Sequence, residues 1–390
     1  MNERTIVYLG NFDKPECNAP GKRVYGNALI LRKLGFKVIL LGKCKTQAPA
    51  HLPISYGKDL DWYSFPNYKL YETAKYIHYV DEVIAQVGIP AIIIRYGSPG
   101  LAEFDRKLIG YCKAKKIKLI ADVVDWLPSG GSGAVFNIIK RLDTFLEKSI
   151  YNKKSDGIIA ISSYLAQYYK KSGCKTVMLP PVVEDYRKNK GENSCIHVVY
   201  AGVPFRLGRQ IKRADEVKDR LDLAVRGIAS VIKSGVQIKL DIYGISKEQY
   251  LTAYPSEKEI VEGTNNQIQF HGIRSMNTVQ EAVNHADFTI LLRNRNRATM
   301  AGFPTKIVES LACGTPVITT RTSDLEHYIV DGDTGFFIDI SSEEKMVKAL
   351  LSIFRSSKTI LPTMKANCFN SKSFCTEKFE GPVNEFISNL

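Results

Sequence analysis

Two α/β domains, each a parallel sheet flanked by helices, are predicted for this chain from three observations. The 390 residues exceed the roughly 250–300 at which a single core stops growing. Short apolar runs alternate with helical stretches through both halves, the pattern of sheets with helices on both faces. In each half a strand also runs into a glycine-containing loop and then a helix, the opening of a doubly wound sheet.

In the first half, residues 5–10 form a short apolar strand. Asn18, Ala19, Pro20 and Gly21 turn into a helix reaching about residue 34, with Val24, Ala28 and Leu31 on one face. Gly35 ends that helix and 37–42 is the next strand. Residues 91–96, 117–124 and 157–161 read as further buried strands. No G-x-G-x-x-G is present, so a dinucleotide is not implied. A Pro-rich stretch at 178–183 followed by polar 184–193 connects the halves. The second half repeats the scheme with strands at 197–202, 238–244, 268–272 and 288–292. Asp331-Gly332-Asp333-Thr334-Gly335 is a turn, because its glycines break any acidic metal motif. The domains are placed at 1–186 and 187–373, with a helix at about 374–390 packing back on the first.

Composition narrows the function. Hydrophobic residues make up 44% and charged residues 24%, ordinary for a globular protein. No apolar run approaches the ~18 residues that would span a bilayer. The opening residues carry no secretory pattern. The eight cysteines lack C-x2-C pairs, which points to reduced cytosolic thiols and away from a metal site. The net charge of +14 is uneven: residues 1–190 carry +13 and residues 191–390 only +1. Basic clusters at Lys113, Lys115, Lys116 and Lys118, and at Lys140, Arg141, Lys148, Lys153 and Lys154, make an anionic membrane surface a candidate partner. No nucleic-acid-binding module pattern accompanies them.

The segment 301–319, AGFPTKIVESLACGTPVIT, is the most informative. Gly302, Phe303 and Pro304 lead into an apolar-periodic helix with Pro304 at its first position and Ile307, Val308 and Leu311 on the buried face. Gly314 and Pro316 stop it. Positions 302, 305 and 309 are expected on another side. Thr305 and Glu309 then lie at or near a helix N-terminus whose free N–H groups suit a phosphate. Glu309, one turn in, is able to accept two hydrogen bonds from a sugar diol.

The segment resembles the donor-site signature of family-4 glycosyltransferases, retaining enzymes of the GT-B fold, in the A-G-F-P-T-K variant of a bacterial surface-polysaccharide subgroup. Gly302, Phe303, Glu309, Gly314, Pro316 and Val317 match. Ala301 stands where the family has a first Glu that contacts the donor sugar, and Pro304 where Gly is usual. The resemblance implies two Rossmann-like domains facing across a cleft. The C-terminal one would hold a nucleotide-diphosphate sugar as co-substrate, with UDP slightly favoured and no separate cofactor or metal. The acceptor would be a saccharide or lipid-linked molecule, in a cytoplasmic enzyme with the inner membrane face as a candidate seat. The donor set carried over is Gly21, Gly202, Lys218, Arg293, Gly302, Phe303, Thr305, Lys306 and Glu309.

Catalytic roles follow the same resemblance. A Lys after the V-V-Y-A-G-V-P loop neutralises the departing diphosphate in the family, a role carried to Lys218 at the start of a helix. Arg206, Arg209 and Lys212 are its rivals. A fixed cation stabilises the charge that grows on a leaving diphosphate. Arg293, ahead of Arg295 and Arg297, is the best placed arginine to clamp phosphate oxygens. Asp122 and Asp125 end a buried strand that is expected to point into the cleft. Asp125 would orient the sugar or the acceptor hydroxyl, although an Asp that caps the next turn fits the same position. Ser162 reads as a helix cap, and His271 and His327 as packing residues. Two other functions fit these residues: a nucleotide-sugar epimerase of the same fold, and a non-catalytic subunit that binds a partner or membrane.

Overall fold

The computed structural model describes residues 4–43, 52–126 and 134–390. The chain divides into two compact units. One comprises Met1–Glu184, Ala301–Phe303 and Cys375–Leu390; the other comprises Asp185–Met300 and Pro304–Phe374.

The first unit is built on β1 (Thr5–Gly10), β2 (Lys37–Gly42), β3 (Ile54–Ser55), β4 (Leu60–Ser64), β5 (Ile92–Tyr96), β6 (Lys118–Val123), β7 (Gly157–Ala160) and β8 (Thr176–Met178). Their order is β3-β4-β2-β1-β5-β6-β7-β8. The pairings are parallel except for β3, which lies antiparallel on β4. The central strands are apolar on both faces because both are covered. Ile6, Tyr8, Val38 and Leu40 pack one way, against the helix Ala19–Lys33. Val7, Leu9, Ile39 and Leu41 pack the other way, against Tyr76, Val80, Phe104 and Leu108. The C-terminal helix Glu377–Ser388 adds Val383 and Phe386 to the first of these cores. Phe386 presses so close to β7 that a side chain at Gly157 would sit 2.6 Å from its ring.

Two buried charged networks lie in this unit. The Asp122 carboxylate accepts two hydrogen bonds from Arg23, at 2.7 and 3.1 Å, and one from the Tyr8 hydroxyl at 2.5 Å. Arg23 spends its remaining contact on the Leu179 carbonyl. Asp122 is therefore a structural anchor, not a cleft residue as the strand ending suggested. In the second network, Asp105 lies 3.4 Å from buried Arg95, with Glu147 on the far side of the same guanidinium.

The second unit has β9 (Ile196–Ala201), β10 (Ile238–Tyr243), β11 (Ile268–Gly272), β12 (Phe288–Leu291), β13 (Val317–Thr319) and β14 (Gly335–Phe337). The order is β11-β10-β9-β12-β13-β14, all parallel. β9 sits between β10 and β12, so the winding reverses there, and a crevice at the carboxyl ends of these strands is where such sheets bind ligands. A 29-residue helix, Glu343–Ser371, carries Pro362 in its interior. It packs on the helix Leu221–Lys233 so tightly that a side chain at Gly227 would lie 2.7 Å from Leu350.

Asp105 gives this fold a pH signature. Burial pushes its carboxyl up to about 7; Arg95 pulls it down, while Glu147 and Asp143 push it up. An unfolded Asp titrates near 4, so between about pH 4 and 7 the folded chain binds more protons, and stability falls as pH rises. We expect Asp105→Asn to remove a decline of up to about 4 kcal/mol across that window, read from denaturant midpoints at successive pH values. An unchanged pH slope would show that Asp105 is already ionised when folded.

Candidate functional site

The site is assembled from what leaves β9 and β12. β9 ends in Tyr200 and Ala201, and the chain then turns at Gly202 with φ of +140°. The Gly202 N–H donates to the Tyr243 carbonyl at 2.8 Å. A side chain at Gly244 would in turn meet the Gly202 carbonyl at 2.5 Å. These close approaches leave a side-chain-free ledge at the carboxyl edge of the sheet. Lys306 occupies it: a Cβ on Gly202 would lie 2.2 Å from its Nζ.

Lys306 comes from the helix Thr305–Ala312. Pro304 is the extended residue before that helix, not its first turn, because its ψ of 101° is non-helical. Gly302 therefore lies outside the helix and shares no face with Thr305 and Glu309. Lys306 Nζ lies 4.6 Å above the Tyr200 ring, donates to the Tyr200 hydroxyl at 3.1 Å, and forms an ion pair with Asp219. Asp219 is buried at 3% exposure and accepts a further bond from the Tyr200 hydroxyl at 2.9 Å. Its other oxygen accepts from Arg293 Nε at 2.7 Å. Arg293 lies two residues past β12, its backbone N–H bonded to Thr320 Oγ1.

At Asp219 one carboxylate faces two cations; the charge of Glu309 also acts on Lys306, and the buried Nη1 of Arg293 has no hydrogen-bond partner among the described residues. Burial alone would raise the Asp219 carboxyl. The charges of Lys306 and Arg293, with hydrogen bonds from Lys306 and Tyr200, instead hold it well below the usual carboxylate range. Burial lowers Lys306; Asp219 opposes this, and the like charge of Arg293 adds to it. The Lys306 side chain remains about a quarter exposed (26%), so its charged end has a route to solvent. Beside it, Glu309 lines a small cleft with Val199, Ala201, Gln280, Thr289 and Cys313. Such a cluster is suited to an anion with several oxygens.

The remaining expected residues fall elsewhere. Lys218 lies in the segment ahead of the helix Leu221–Lys233, not at its start, half-exposed and next to Asp219 in the chain. Its rivals Arg206, Arg209 and Lys212 are exposed, with Arg209 3.6 Å from Glu216. Arg295 and Arg297 are exposed too. Gly302 and Phe303 are buried in the stretch that clusters with the first unit, where the carbonyl of Ala301 accepts from Ser162 Oγ at 2.7 Å. Ser162 also caps the helix Ser163–Lys171.

In the first unit, the space beside Gly21 is filled by the chain itself. A Cβ there would meet the carbonyls of Asp13 and Lys14 at 2.3 and 2.4 Å, while Asn18 caps the helix. Asp125 is ion-paired with Lys148 at 3.0 Å. His271 stacks on Tyr243 and bonds to Asp241, which also holds His197; His327 is exposed. Sequence reasoning missed Asp219 and Tyr200. The only signal was an acid directly after Lys218 and a tyrosine at the end of an otherwise aliphatic strand.

Comparison with known proteins bears on this geometry. Residues 210–365, mostly in the second unit, match the family described as glycosyl transferases group 1. No curated protein matches the sequence significantly. Among solved structures, the chain is similar to a sucrose-phosphate synthase from Thermosynechococcus elongatus, with a TM-score of 0.67, 16% identity and 99% of each chain covered. It is similar to the pneumococcal O-GlcNAc transferase GtfA, solved with UDP and GlcNAc, at a TM-score of 0.66 and 10% identity, covering 100% of this chain and 99% of that one. It is also similar to Anabaena HepE, solved with UDP and glucose, at a TM-score of 0.60 and 12% identity over 100% of each chain. These likenesses establish the fold class as GT-B, built from two parallel-sheet α/β domains.

Removing Asp219 would leave two buried cations facing each other. Asp219→Ala should cost roughly 3 kcal/mol, the low end for a broken buried ion pair because Lys306 is partly solvated. Denaturant unfolding checks this, and a loss below about 0.5 kcal/mol, as at a surface site, would show that the carboxylate does not hold the cluster.

Proposed function

We propose that the protein is a glycosyltransferase that moves a sugar from a nucleotide-diphosphate donor to a saccharide or lipid-linked acceptor, with retention, in the assembly of a cell-surface polysaccharide or glycoconjugate. The observation that carries this reading is the pair of cations, Lys306 and Arg293, gathered on one buried carboxylate at the carboxyl edge of β9 and β12, with a spare buried guanidinium N–H. The group 1 match and the UDP-containing neighbours support it.

The chemistry follows from charge. Breaking a sugar–phosphate bond leaves extra negative charge on the diphosphate, and preorganised cations stabilise it without reorganising water. Arg293 Nη1, Lys306 Nζ and the N-terminus of the helix Thr305–Ala312 would take that charge. Lys218, adjacent to Asp219, would complete the set. Glu309, one turn along the same helix, would accept the ribose hydroxyls. Gly202 is needed because any side chain there would displace Lys306. Asp125, held by Lys148 in the first unit, would position the acceptor hydroxyl or the donor sugar. With Ala301 in place of a Glu, the donor sugar would be selected by other contacts. UDP is the nucleotide we favour.

A thermal-shift panel with UDP, GDP, ADP and CMP tests the assignment. Saturation at about 100 times the dissociation constant adds roughly 2.7 kcal/mol of stability, so one nucleotide should raise the melting temperature by several degrees. The shift should disappear in Lys306→Ala and shrink in Glu309→Ala. No shift with any nucleotide would overturn the reading. Turnover of donor without acceptor would favour the epimerase, and nucleotide binding without turnover would favour the non-catalytic subunit.

Affinity should also depend on pH in one direction. Burial depresses Lys306, and a bound diphosphate favours its protonated form. Affinity is therefore full below the lowered lysine pKa and falls as pH rises through it, while Lys306→Arg, always charged, should flatten the alkaline limb. A titration series from neutral to alkaline pH reads this; an equal loss in both proteins would assign the effect to another group.

A further inference from the structure

We propose that the helix Ala134–Phe145 of the first unit is an interfacial anchor that seats the protein on an anionic lipid bilayer. This inference stands independently of the transferase reading. A surface helix of a folded protein normally turns its apolar stripe to the core. From Ile138 onward the pattern is inverted. Ile138, Leu142 and Phe145 share one face at i, i+4 and i+7 and are 65%, 58% and 57% exposed, with Ile139 beside them at 53%. Lys140 and Arg141 are exposed between them.

The acids of the same segment face inward. Asp143 accepts from the Ala102 N–H at 2.6 Å and so caps the helix Ala102–Lys115. Glu147, in the π-helical turn that follows, pairs with buried Arg95 at 3.1 Å. The outward surface is thus apolar and basic, the composition of a helix lying in the headgroup plane.

A second exposed pair adjoins it. Leu70 and Tyr71 are exposed, and Lys69 lies 5.8 Å over the Tyr71 ring. The Leu70 carbonyl accepts from the Leu101 N–H, one residue before the Ala102 that Asp143 caps. An amphipathic tyrosine with a basic neighbour suits the bilayer interface. In the other lysine cluster, Lys115 and Lys118 are paired with Asp81 and Asp156.

Charge decides the occupant. Residues 1–190 carry +13, so a second copy on this face would bring two basic surfaces together, whereas an anionic bilayer offers phosphates to the cations and acyl chains to the apolar stripe.

Flotation of the full chain with vesicles tests this. The protein should bind vesicles containing phosphatidylglycerol, bind pure phosphatidylcholine at least about tenfold more weakly, and dissociate as salt is raised. Ile138→Ser/Leu142→Ser/Phe145→Ser should lower binding at least about tenfold, since each buried apolar group contributes. Lys140→Glu/Arg141→Glu should lower it by a similar factor and flatten the salt dependence. All these positions are exposed, so thermal melting should be unchanged and controls for folding. Absence of wild-type binding, or full binding by the apolar variant, would overturn the proposal. A concentration-dependent dimer abolished by the apolar variant would overturn it in favour of a second copy.

Discussion

One carboxylate shared by two cations organises the second unit. Asp219 draws Lys306, which arrives from the helix after Gly302-Phe303-Pro304, and Arg293, which arrives from the end of β12, to the end of β9 where Tyr200 holds its other lone pairs. Three chain segments distant in sequence meet on that single group. Its charge lowers the cost of burying the cations, and the Arg293 N–H left over makes the place attractive to an anion. The glycine ledge matters for the same reason: Lys306 reaches Asp219 only across a residue with no Cβ.

The first unit supplies an internal contrast. Asp122 is also buried at the end of a central strand, yet its partner is a single arginine whose nitrogens bond to Asp122 and to the Leu179 carbonyl. Balanced charge with satisfied donors is what a structural staple requires. The Asp219 cluster has a buried N–H left over, and such a remainder is more consistent with a place kept for a ligand. The two carboxylates are equally buried, so hydrogen-bond satisfaction of their cations distinguishes them, not position in the fold.

Much of this architecture is legible in the residues, and the failures have physical causes. The aliphatic strands 5–10 and 37–42 are unambiguous because burial on both faces demands continuous apolar runs. β3, β4, β8 and β14 are short or carry polar residues, and they gain their pairing from neighbours the sequence does not display. The helix Glu343–Ser371 is obscured by Pro362 and by weak periodicity. At the site, the 301–319 segment points to Thr305 and Glu309 through helix-start chemistry, and Lys306 comes only with the A-G-F-P-T-K resemblance. Lys218 is the cation that the same resemblance gives; that Lys306 is held by an acid depends on tertiary contact. Asp219 shows in the sequence only as the acid directly after Lys218, and only the fold brings Arg293 and Lys306 to it.

The central claim is that this cluster binds the phosphates of a nucleotide. Calorimetric titration with UDP and with uridine, on the wild-type chain and on Lys306→Ala/Arg293→Ala, tests it most directly, because the two ligands differ only in the diphosphate. The account predicts that UDP binds at least about 100-fold more tightly than uridine, a gap of roughly 2.7 kcal/mol, and that most of this gap is lost in the double variant. Equal affinities for UDP and uridine, or a gap preserved without the two cations, would contradict it.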